Sequence, residues 1–213
     1  QNGMVKKDGE LCWEFDRLFQ EIKNGLKKCK EIGKIPVSMG VDTWGVDFVL
    51  MDKDDKVLGN TVGYRDHRNE GMDEEVYKTI SLEDLYARTG IQKAIFNTVY
   101  QLMAVKTKHP EYLEQAETML HVPDYFHYLL TGKKTCEYTE ATTGQLVNAE
   151  TKDWDYELID KLGYPRKMFQ KLIMPGTSVG HFTEEVKAEV GFDVEVVAPA
   201  THDTGSAVLA VPA

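Results

Sequence analysis

Cysteine is scarce in this 213-residue sequence, and its three cysteines do not form motifs. Cys12, Cys29 and Cys136 are odd in number and far apart, and none belongs to a CxxC pair. This pattern argues against a disulfide framework and against a zinc ribbon, because both need closely spaced cysteines. A reducing compartment, the cytoplasm, fits these cysteines best.

Long apolar runs and an excess of positive charge are also missing. No stretch reaches the roughly 18 apolar residues that a membrane helix needs, and the opening residues QNGMVKKDGE contain no signal-peptide core. The 35 acidic residues outnumber the 25 Lys and Arg, which gives a net charge of −10. Nucleic acid and anionic membranes are therefore disfavoured as partners, and we expect a small molecule.

What the chain does have is enough apolar sequence, 42% of its residues, for one substantial core. We expect one α/β domain with a helical insertion between residues 71 and 132. Apolar spacing and end signals predict a first helix capped by Asp16, and further helices over residues 82–88, 97–108, 123–132, 156–162 and 204–210. Strands are predicted at residues 11–13 and 194–198, and residues 35–65 read as a β-meander with a tight turn at 52–56.

The stretch VEVVAPATHDTGSAV runs an apolar strand directly into His202, Asp203 and Thr204, followed by a helix of small residues. In α/β folds, ligands bind beyond the carboxyl ends of strands, so a carboxylate here is a candidate general base. The alternative is that Asp203 or Thr204 only caps the helix. The additional polar groups of Thr201 and His202 at the same place favour the functional interpretation.

A second candidate is GVDTWGVDF, residues 40–48, where aspartates interrupt apolar sequence. Gly45 allows close approach of a ligand, and Trp44 offers a flat apolar face to a sugar ring. Equally, Gly45 marks a bulge and Trp44 fills the core. Asn97 and Gln101 share a helix face and can donate to substrate hydroxyls, although a cap and a surface residue are the better interpretation for them. The six histidines show no metal spacing, so we expect no metal site.

Together, these segments resemble the amino-terminal domain of the FGGY carbohydrate kinases. The resemblance covers nearly the whole chain and rests on GVDTWGVDFVL, YRDHR, TGIQ, NTVYQL, PDYFHYLLTG, EYTEATTGQL, the pair Trp154-Asp155 and THDTGSAV. It departs from the family at Gly205 and Gly144, where Ala and Thr are more usual. The implied fold is the ribonuclease-H-like α/β fold of actin and hexokinase, with a mixed sheet.

The resemblance implies that Asp203 is the catalytic base of a kinase, with His202 and Thr204 beside the sugar and Trp44 and Gly45 in the sugar-contacting segment. The motifs are closest to those of kinases that phosphorylate L-rhamnulose at its 1-hydroxyl. Such an enzyme uses ATP and Mg²⁺. The resemblance also implies a phosphate-binding hairpin before residue 1 and an ATP-binding domain after residue 213, and we expect the chain to be inactive and to bind no cofactor tightly without them.

Three other functions stay open at this point. One is a kinase for another ketose or polyol of the same family, and another is a non-catalytic sugar-binding domain on the same fold. The third is a two-metal nuclease, which would need Asp42, Asp47 and Asp203 to converge. The acidic charge balance argues against the nuclease.

Overall fold

The computed structural model describes residues 3–212, in which helices and short strands alternate. Within that range, no helix has the length and apolarity to cross a bilayer. The helices are α1 (Phe15–Glu31), α2 (Met72–Tyr77), α3 (Leu82–Thr89), α4 (Thr98–Lys108), α5 (Pro110–Gln115), α6 (Val122–Thr131), α7 (Tyr138–Thr142), α8 (Tyr156–Leu162), α9 (Glu184–Val190) and α10 (Asp203–Leu209). The strands are β1 (Val5–Lys7), β2 (Glu10–Cys12), β3 (Ser38–Met39), β4 (Phe48–Met51), β5 (Thr118–His121), β6 (Cys136–Glu137), β7 (Val147–Asn148), β8 (Asp153–Trp154), β9 (Leu172–Ile173), β10 (Ser178–His181) and β11 (Glu195–Val197).

A three-stranded sheet carries the strand that leads into α10. Its central strand, β11, pairs antiparallel with β10 and parallel with β3, which confirms the predicted mixed sheet. Val196 on β11 is fully buried in an apolar cluster that also takes Leu26 from α1 and Val186 from α9. The cluster holds the end of β11, and therefore the start of α10, against the body of the protein.

A larger core surrounds α4 and the antiparallel pair of β4 and β5. Every residue of these two strands is buried, and their register places Phe48 opposite His121. All eight residues from Thr98 to Val105 on α4 are also buried. Burial of apolar surface at about 25 cal/mol per Å² makes this core the main source of stability. It forms the floor beneath the segments that carry the candidate site.

Residues 35–65 do not form the predicted β-meander, because β3 and β4 belong to different sheets. Gly40, between them, passes so close to β11 that a Cβ there would lie 2.5 Å from the carbonyl oxygen of Val197. The chain then leaves the sheet and reaches α10, where Thr43 forms a single parallel bridge with His202. This excursion replaces the continuous strand that the apolar pattern predicted.

The predicted turn at residues 52–56 is confirmed, since the Asp52 N–H donates to the Lys56 carbonyl at 2.9 Å. The predicted helices at 82–88, 97–108, 123–132, 156–162 and 204–210 agree with α3, α4, α6, α8 and α10 within one residue at each end. The strands predicted at 11–13 and 194–198 agree equally well with β2 and β11. The predicted cap at Asp16 is wrong, because α1 already begins at Phe15.

Candidate functional site

An open cavity of about 840 Å³ lies beside the amino end of α10, where four segments of the chain meet. The segments are residues 44–46, residues 90–97 before α4, residues 142–143 around the end of α7, and residues 202–204. The described residues that line it are Trp44, Gly45, Val46, Tyr64, Tyr86, Gly90, Ile91, Gln92, Ala94, Phe96, Asn97, Thr142, Thr143, His202, Asp203 and Thr204. Six of the seven site residues predicted from sequence are therefore brought together, and Gln101 is the exception.

Asp203 is the first residue of α10, and its side chain is exposed at the cavity. The capping position belongs to His202, and no side chain caps this helix. Instead, Asp203 Oδ1 accepts a hydrogen bond from Thr204 Oγ1 at 3.1 Å. The capping alternative for these two residues is therefore not supported by the geometry, and the carboxylate is available to a ligand.

The backbone around Asp203 is held by the segment that carries Trp44. The Thr43 N–H donates to the Thr201 carbonyl at 2.9 Å, and the Asp203 N–H donates to the Thr43 carbonyl at 2.8 Å. These two bonds form a short parallel ladder between the chain entering α10 and residues 43–44. The candidate base and the candidate sugar platform are thus joined through the backbone.

A buried carboxylate, Glu137, supports the same backbone from behind. Glu137 is fully buried, and its Oε2 accepts from the Thr201 N–H at 3.1 Å and from Thr201 Oγ1 at 2.8 Å. Its other oxygen accepts from the Thr139 N–H at 2.9 Å. Charge-assisted bonds of this kind are about twice as strong as neutral ones. Glu137 therefore positions the residues directly before His202 and Asp203.

Trp44 is held in place by a second buried carboxylate, Asp47. Asp47 Oδ2 accepts from the indole N–H of Trp44 at 2.9 Å and from that of Trp13 at 2.7 Å, and the two ring centroids lie 4.1 Å apart. Burial raises the pKa of Asp47, although hydrogen bonds from Trp13, Gln101 and Trp44 oppose that shift. One face of Trp44 is thus covered by Trp13, while its other side borders the cavity.

Gln101 lies below the cavity and not in its lining. It is fully buried, and its Nε2 is within hydrogen-bond distance of the Val46 carbonyl at 3.1 Å, Asp47 Oδ1 at 3.0 Å and the Phe96 carbonyl at 2.9 Å. Its Oε1 accepts from Arg68 at 3.0 Å. Gln101 therefore supports the backbone and side chain of residues 46–47 from the core. It neither lines the cavity nor lies at the solvated surface.

Gly45 faces Thr143 across a tight contact. A Cβ at Gly45 would lie 3.0 Å from Thr143 Cγ2 and 3.1 Å from Thr143 Oγ1. A side chain at position 45 would therefore crowd Thr143, and Gly45 itself also borders the cavity. Gly144 has a similar reason, because a Cβ there would lie 2.8 Å from Thr98. This contact accounts for the absence of Thr at position 144.

The next residue, Val46, has a φ of +72°, a left-handed conformation that β-branched residues rarely adopt. Its N–H donates to Thr143 Oγ1 at 3.1 Å, and its carbonyl accepts from Thr98 Oγ1 at 2.8 Å. Backbone strain of about 1–3 kcal/mol persists only where the surroundings enforce it. These bonds enforce it, and they set the direction of the chain between the cavity and the core.

Asn97 borders the cavity at 4% exposure, and its Nδ2 donates to the Gln92 carbonyl at 3.0 Å and to Gln145 Oε1 at 2.8 Å. It occupies the position before α4, yet its side chain does not cap that helix. The amide is thus fixed in orientation by the Gln92 carbonyl in the preceding loop and by the side chain of Gln145.

Sequence reasoning missed several lining residues on neighbouring loops. Tyr64 and Phe96 pack edge to face, with ring centroids 5.6 Å apart, and both border the cavity together with Gln92. Each lies in or beside a segment already singled out (YRDHR, TGIQ and NTVYQL), and Thr143 lies in EYTEATTGQL. The signal was present in the motifs, but only the fold shows which of their side chains reach the cavity.

The electrostatics of the lining are simple. Among the described residues that line the cavity, Asp203 is the one acid, and there is no Lys or Arg. The remaining polar groups are amides, hydroxyls and a histidine, set among aromatic rings. Such a lining suits a neutral molecule with several hydroxyl groups.

The carboxylates needed for a two-metal nuclease do not converge. Asp47 is buried among indoles at 1% exposure, whereas Asp42 and Asp203 are exposed. Over residues 3–212, Asp42, Asp47 and Asp203 form no group close enough to share a cation. The nuclease interpretation therefore lacks its site.

Comparison with known proteins shows the family. Residues 2–210 match the N-terminal domain of the FGGY family of carbohydrate kinases. The chain belongs to this family. As an FGGY-family chain it is 56% identical, over 212 residues, to the rhamnulokinase of Halalkalibacterium halodurans, and 50% identical, over 211 residues, to that of Oceanobacillus iheyensis. The matches cover 100% and 99% of this chain but 45% of each relative, so the chain spans less than half the length of these proteins.

Solved kinase structures share the fold. The ligand-bound xylulose kinase from Lactobacillus acidophilus matches with a TM-score of 0.86 at 20% identity, over 97% of this FGGY chain and 43% of the other. The glycerol kinase of Plasmodium falciparum with ADP matches with a TM-score of 0.74 at 14% identity, over 92% and 42%. These likenesses confirm the predicted actin/hexokinase-like α/β fold.

Proposed function

We propose that this chain is the sugar-binding part of a kinase that phosphorylates L-rhamnulose at its 1-hydroxyl, with Asp203 as general base. The observation that carries the proposal is the exposed carboxylate of Asp203 at the cavity. The described lining contains no other acid and no Lys or Arg. The names of the two rhamnulokinases, at 56% and 50% identity, support the choice of sugar.

The chemistry asks little of the protein beyond positioning. As the sugar oxygen forms its bond to phosphorus, the hydroxyl proton passes to the Asp203 carboxylate, and no covalent intermediate with the protein is needed. The bonds from Thr204 Oγ1 and from the Asp203 N–H to Thr43 set the position of that carboxylate.

The sugar is held by the groups around the base. The face of Trp44 takes the apolar side of the sugar, and Asn97, His202 and Thr204 meet its hydroxyls. All four residues border the cavity, and Asp47 keeps the indole from rotating through its hydrogen bond at 2.9 Å.

ATP and Mg²⁺, which kinases of this family use, do not fit the same lining. Phosphate groups are bound by Lys, Arg and clustered backbone donors, and Mg²⁺ by several oxygen ligands, whereas this cavity has no cationic Lys or Arg and a single carboxylate. We therefore assign the nucleotide to parts of the enzyme outside this lining, including a second domain. We place the action of the enzyme in the cytoplasm, since Cys12, Cys29 and Cys136 form no disulfide among the described residues.

The decisive experiment replaces Asp203 by Asn in the complete enzyme. The amide keeps the size of the side chain but cannot accept the proton, so we expect kcat to fall by roughly 10²-fold or more. L-Rhamnulose binding, measured by calorimetry, should change much less. Asp54→Asn, at an exposed turn, is the matched control and should keep the parental rate.

Turnover of Asp203→Asn at the parental rate would place the base elsewhere. If the parent phosphorylates another ketose or a polyol better than L-rhamnulose, the proposed substrate is wrong while the base assignment stands. If the complete protein binds ketoses and phosphorylates none of them, it is a sugar-binding module.

A further inference from the structure

Behind the cavity, three side chains of different chemistry meet in the core. His121 lies at the end of β5, Asp124 in the first turn of α6, and Cys136 on β6. One ligand atom from each lies within 4.8 Å of the other two, and the three residues are 1%, 0% and 0% exposed. The fold thus collects an imidazole, a carboxylate and a thiol out of contact with solvent.

These groups are poorly satisfied by the protein. Neither ring nitrogen of His121 has a hydrogen-bond partner among the described residues, and Asp124 Oδ2 has none either. Cys136 Sγ donates to the Met119 carbonyl at 3.7 Å, a long and weak contact, and the backbone N–H groups of His121 and Gln170 also face the sulfur. A buried polar group without a hydrogen-bond partner costs about 1–3 kcal/mol, and more if it is charged. Several such groups in one place therefore need an explanation.

A divalent cation explains them together. One imidazole, one carboxylate and one thiolate form a set of nitrogen, oxygen and sulfur ligands, which suits Zn²⁺ and not Mg²⁺ or Ca²⁺, because the latter two prefer oxygen. The two anionic ligands would also offset the double positive charge of the ion. We propose that His121, Asp124 and Cys136 form a structural site for Zn²⁺ or a similar transition-metal ion.

The distances allow such a site with a small adjustment. Zn²⁺ bonds of about 2.0–2.3 Å hold ligand atoms roughly 3.5 Å apart, so the three side chains close by about an ångström. The three side chains supply three of the four ligands of a tetrahedral site. The spacing His-x₂-Asp-x₁₁-Cys matches none of the common metal motifs, so sequence alone predicted no site.

The position of the site gives it a structural role. The second oxygen of Asp124 accepts from the Glu137 N–H at 3.0 Å, and Glu137 in turn holds Thr201, two residues before Asp203. A metal here would tie β5, α6 and β6 together directly behind the backbone that carries the catalytic base. Its loading should therefore stabilise the protein without taking part in phosphoryl transfer.

The test uses untagged protein in its natural full-length form, stripped with a chelator and titrated with Co²⁺. We expect one Co²⁺ per chain, with a thiolate-to-cobalt absorption band in the near ultraviolet that Zn²⁺ removes. Zn²⁺ at about 100 times its Kd should raise the unfolding midpoint of the full-length protein by roughly 2–5 °C.

Cys136→Ser should abolish both the band and the shift in midpoint. Cys12→Ser is the matched control, because Cys12 is equally buried at 1% exposure but lies outside the cluster, and it should keep both. Asp124→Asn retains the acceptor for the Glu137 N–H and should weaken binding, which provides a second variant if Cys136→Ser does not fold. The proposal is overturned if the parent shows no cobalt band, or if the band survives in both Cys136→Ser and Asp124→Asn. A buried water or a neutral hydrogen-bonded cluster would then account for the three side chains.

Discussion

Arg88 on α3 and Asp155 before α8 form a partly buried ion pair, and its loss should lower the stability of the fold by an amount that can be estimated from its geometry. Arg88 Nε and Nη2 donate to the two carboxylate oxygens of Asp155, both at 2.8 Å. The side chain of Asp155 is 3% exposed and that of Arg88 is 26% exposed. The pair fixes α3, and the loop after α3 supplies Gly90, Ile91 and Gln92 to the cavity.

We expect Arg88→Ala to lower the free energy of unfolding by about 2 kcal/mol at pH 7. Breaking a fully buried pair costs about 3–5 kcal/mol, but Arg88 is partly in contact with water, which screens the charge. Asp155 also keeps hydrogen bonds from the Leu158 N–H at 3.0 Å and Asn148 at 3.1 Å. Both effects reduce the loss.

The pH dependence gives a second, independent readout. Burial raises the pKa of Asp155, but hydrogen bonds from Arg88, the Leu158 N–H and Asn148 outweigh that effect and hold it below its ordinary value of 3.8. An acid whose folded pKa is lowered stabilises the fold above its ordinary pKa, and this contribution is lost as the pH falls through the folded value. The difference between parent and Arg88→Ala should therefore narrow below about pH 4.

Urea unfolding at a series of pH values measures both quantities. Arg166→Ala is the matched control, because Arg166 pairs with Asp160 through the same two-pronged contact, but their side chains are 57% and 48% exposed. It should shift the midpoint very little. Equal shifts for the two variants, or a difference for Arg88→Ala that is independent of pH, would refute the reasoning.

Two further predictions concern the packing and the support of the site. Gly45→Ala should lower the free energy of unfolding by about 1–2 kcal/mol, because the new Cβ would lie 3.0 Å from Thr143. Gly25→Ala is the control: it lies on α1, no atom lies within 4 Å of its new Cβ, and the free energy of unfolding should rise by about 0.5–1 kcal/mol. Thermal unfolding checks both, and a stabilising Gly45→Ala would contradict the packing. Glu137→Gln should lower kcat of the complete enzyme more than it raises KM for the sugar, because it disturbs the Thr201 contacts before the base. Glu150→Gln, at an exposed residue, is the control and should leave kcat and KM unchanged. If Glu137→Gln also leaves both constants unchanged, the contact between Glu137 and Thr201 does not position Asp203.

Much of the site could be predicted because its residues follow one another in the chain. His202, Asp203 and Thr204 come directly after an apolar strand, and Trp44 and Gly45 interrupt another apolar segment, so local pattern alone pointed to them. Their common location at one cavity is what the fold adds. Whether Asp203 is the base and the others touch sugar stays a prediction.

Gln101 could not be placed from sequence because α4 has no exposed face along most of its length. Residues 98–105 are all buried, so the spacing of polar and apolar residues does not tell which side chains reach a ligand. The short helices α2, α5, α7 and α9 were not predicted. Each spans at most two turns, so a helical period is hardly visible. The equally short α8 and α10 were predicted because end signals supplemented the spacing.

Contacts between distant segments were the third kind of failure. The β-meander seemed continuous because residues 35–65 are locally strand-like, but the tight approach at Gly40 and the bridge from Thr43 to His202 redirect the chain. The meeting of His121 and Asp124 with Cys136 likewise depends on the docking of β6, which no local pattern encodes.

The strained backbone at Val46 has a consequence for how this cavity can change during evolution. Its N–H and carbonyl are both committed to the protein, to Thr143 and Thr98, so this segment tolerates few substitutions. Tyr64 and Phe96, which also border the cavity and contact each other, form an aromatic wall, and Phe96 is 40% exposed. Mutational libraries aimed at new sugar acceptors should therefore vary the aromatic wall and keep Gly45 and Val46, because changes at the wall leave the backbone next to Asp203, the proposed base, undisturbed.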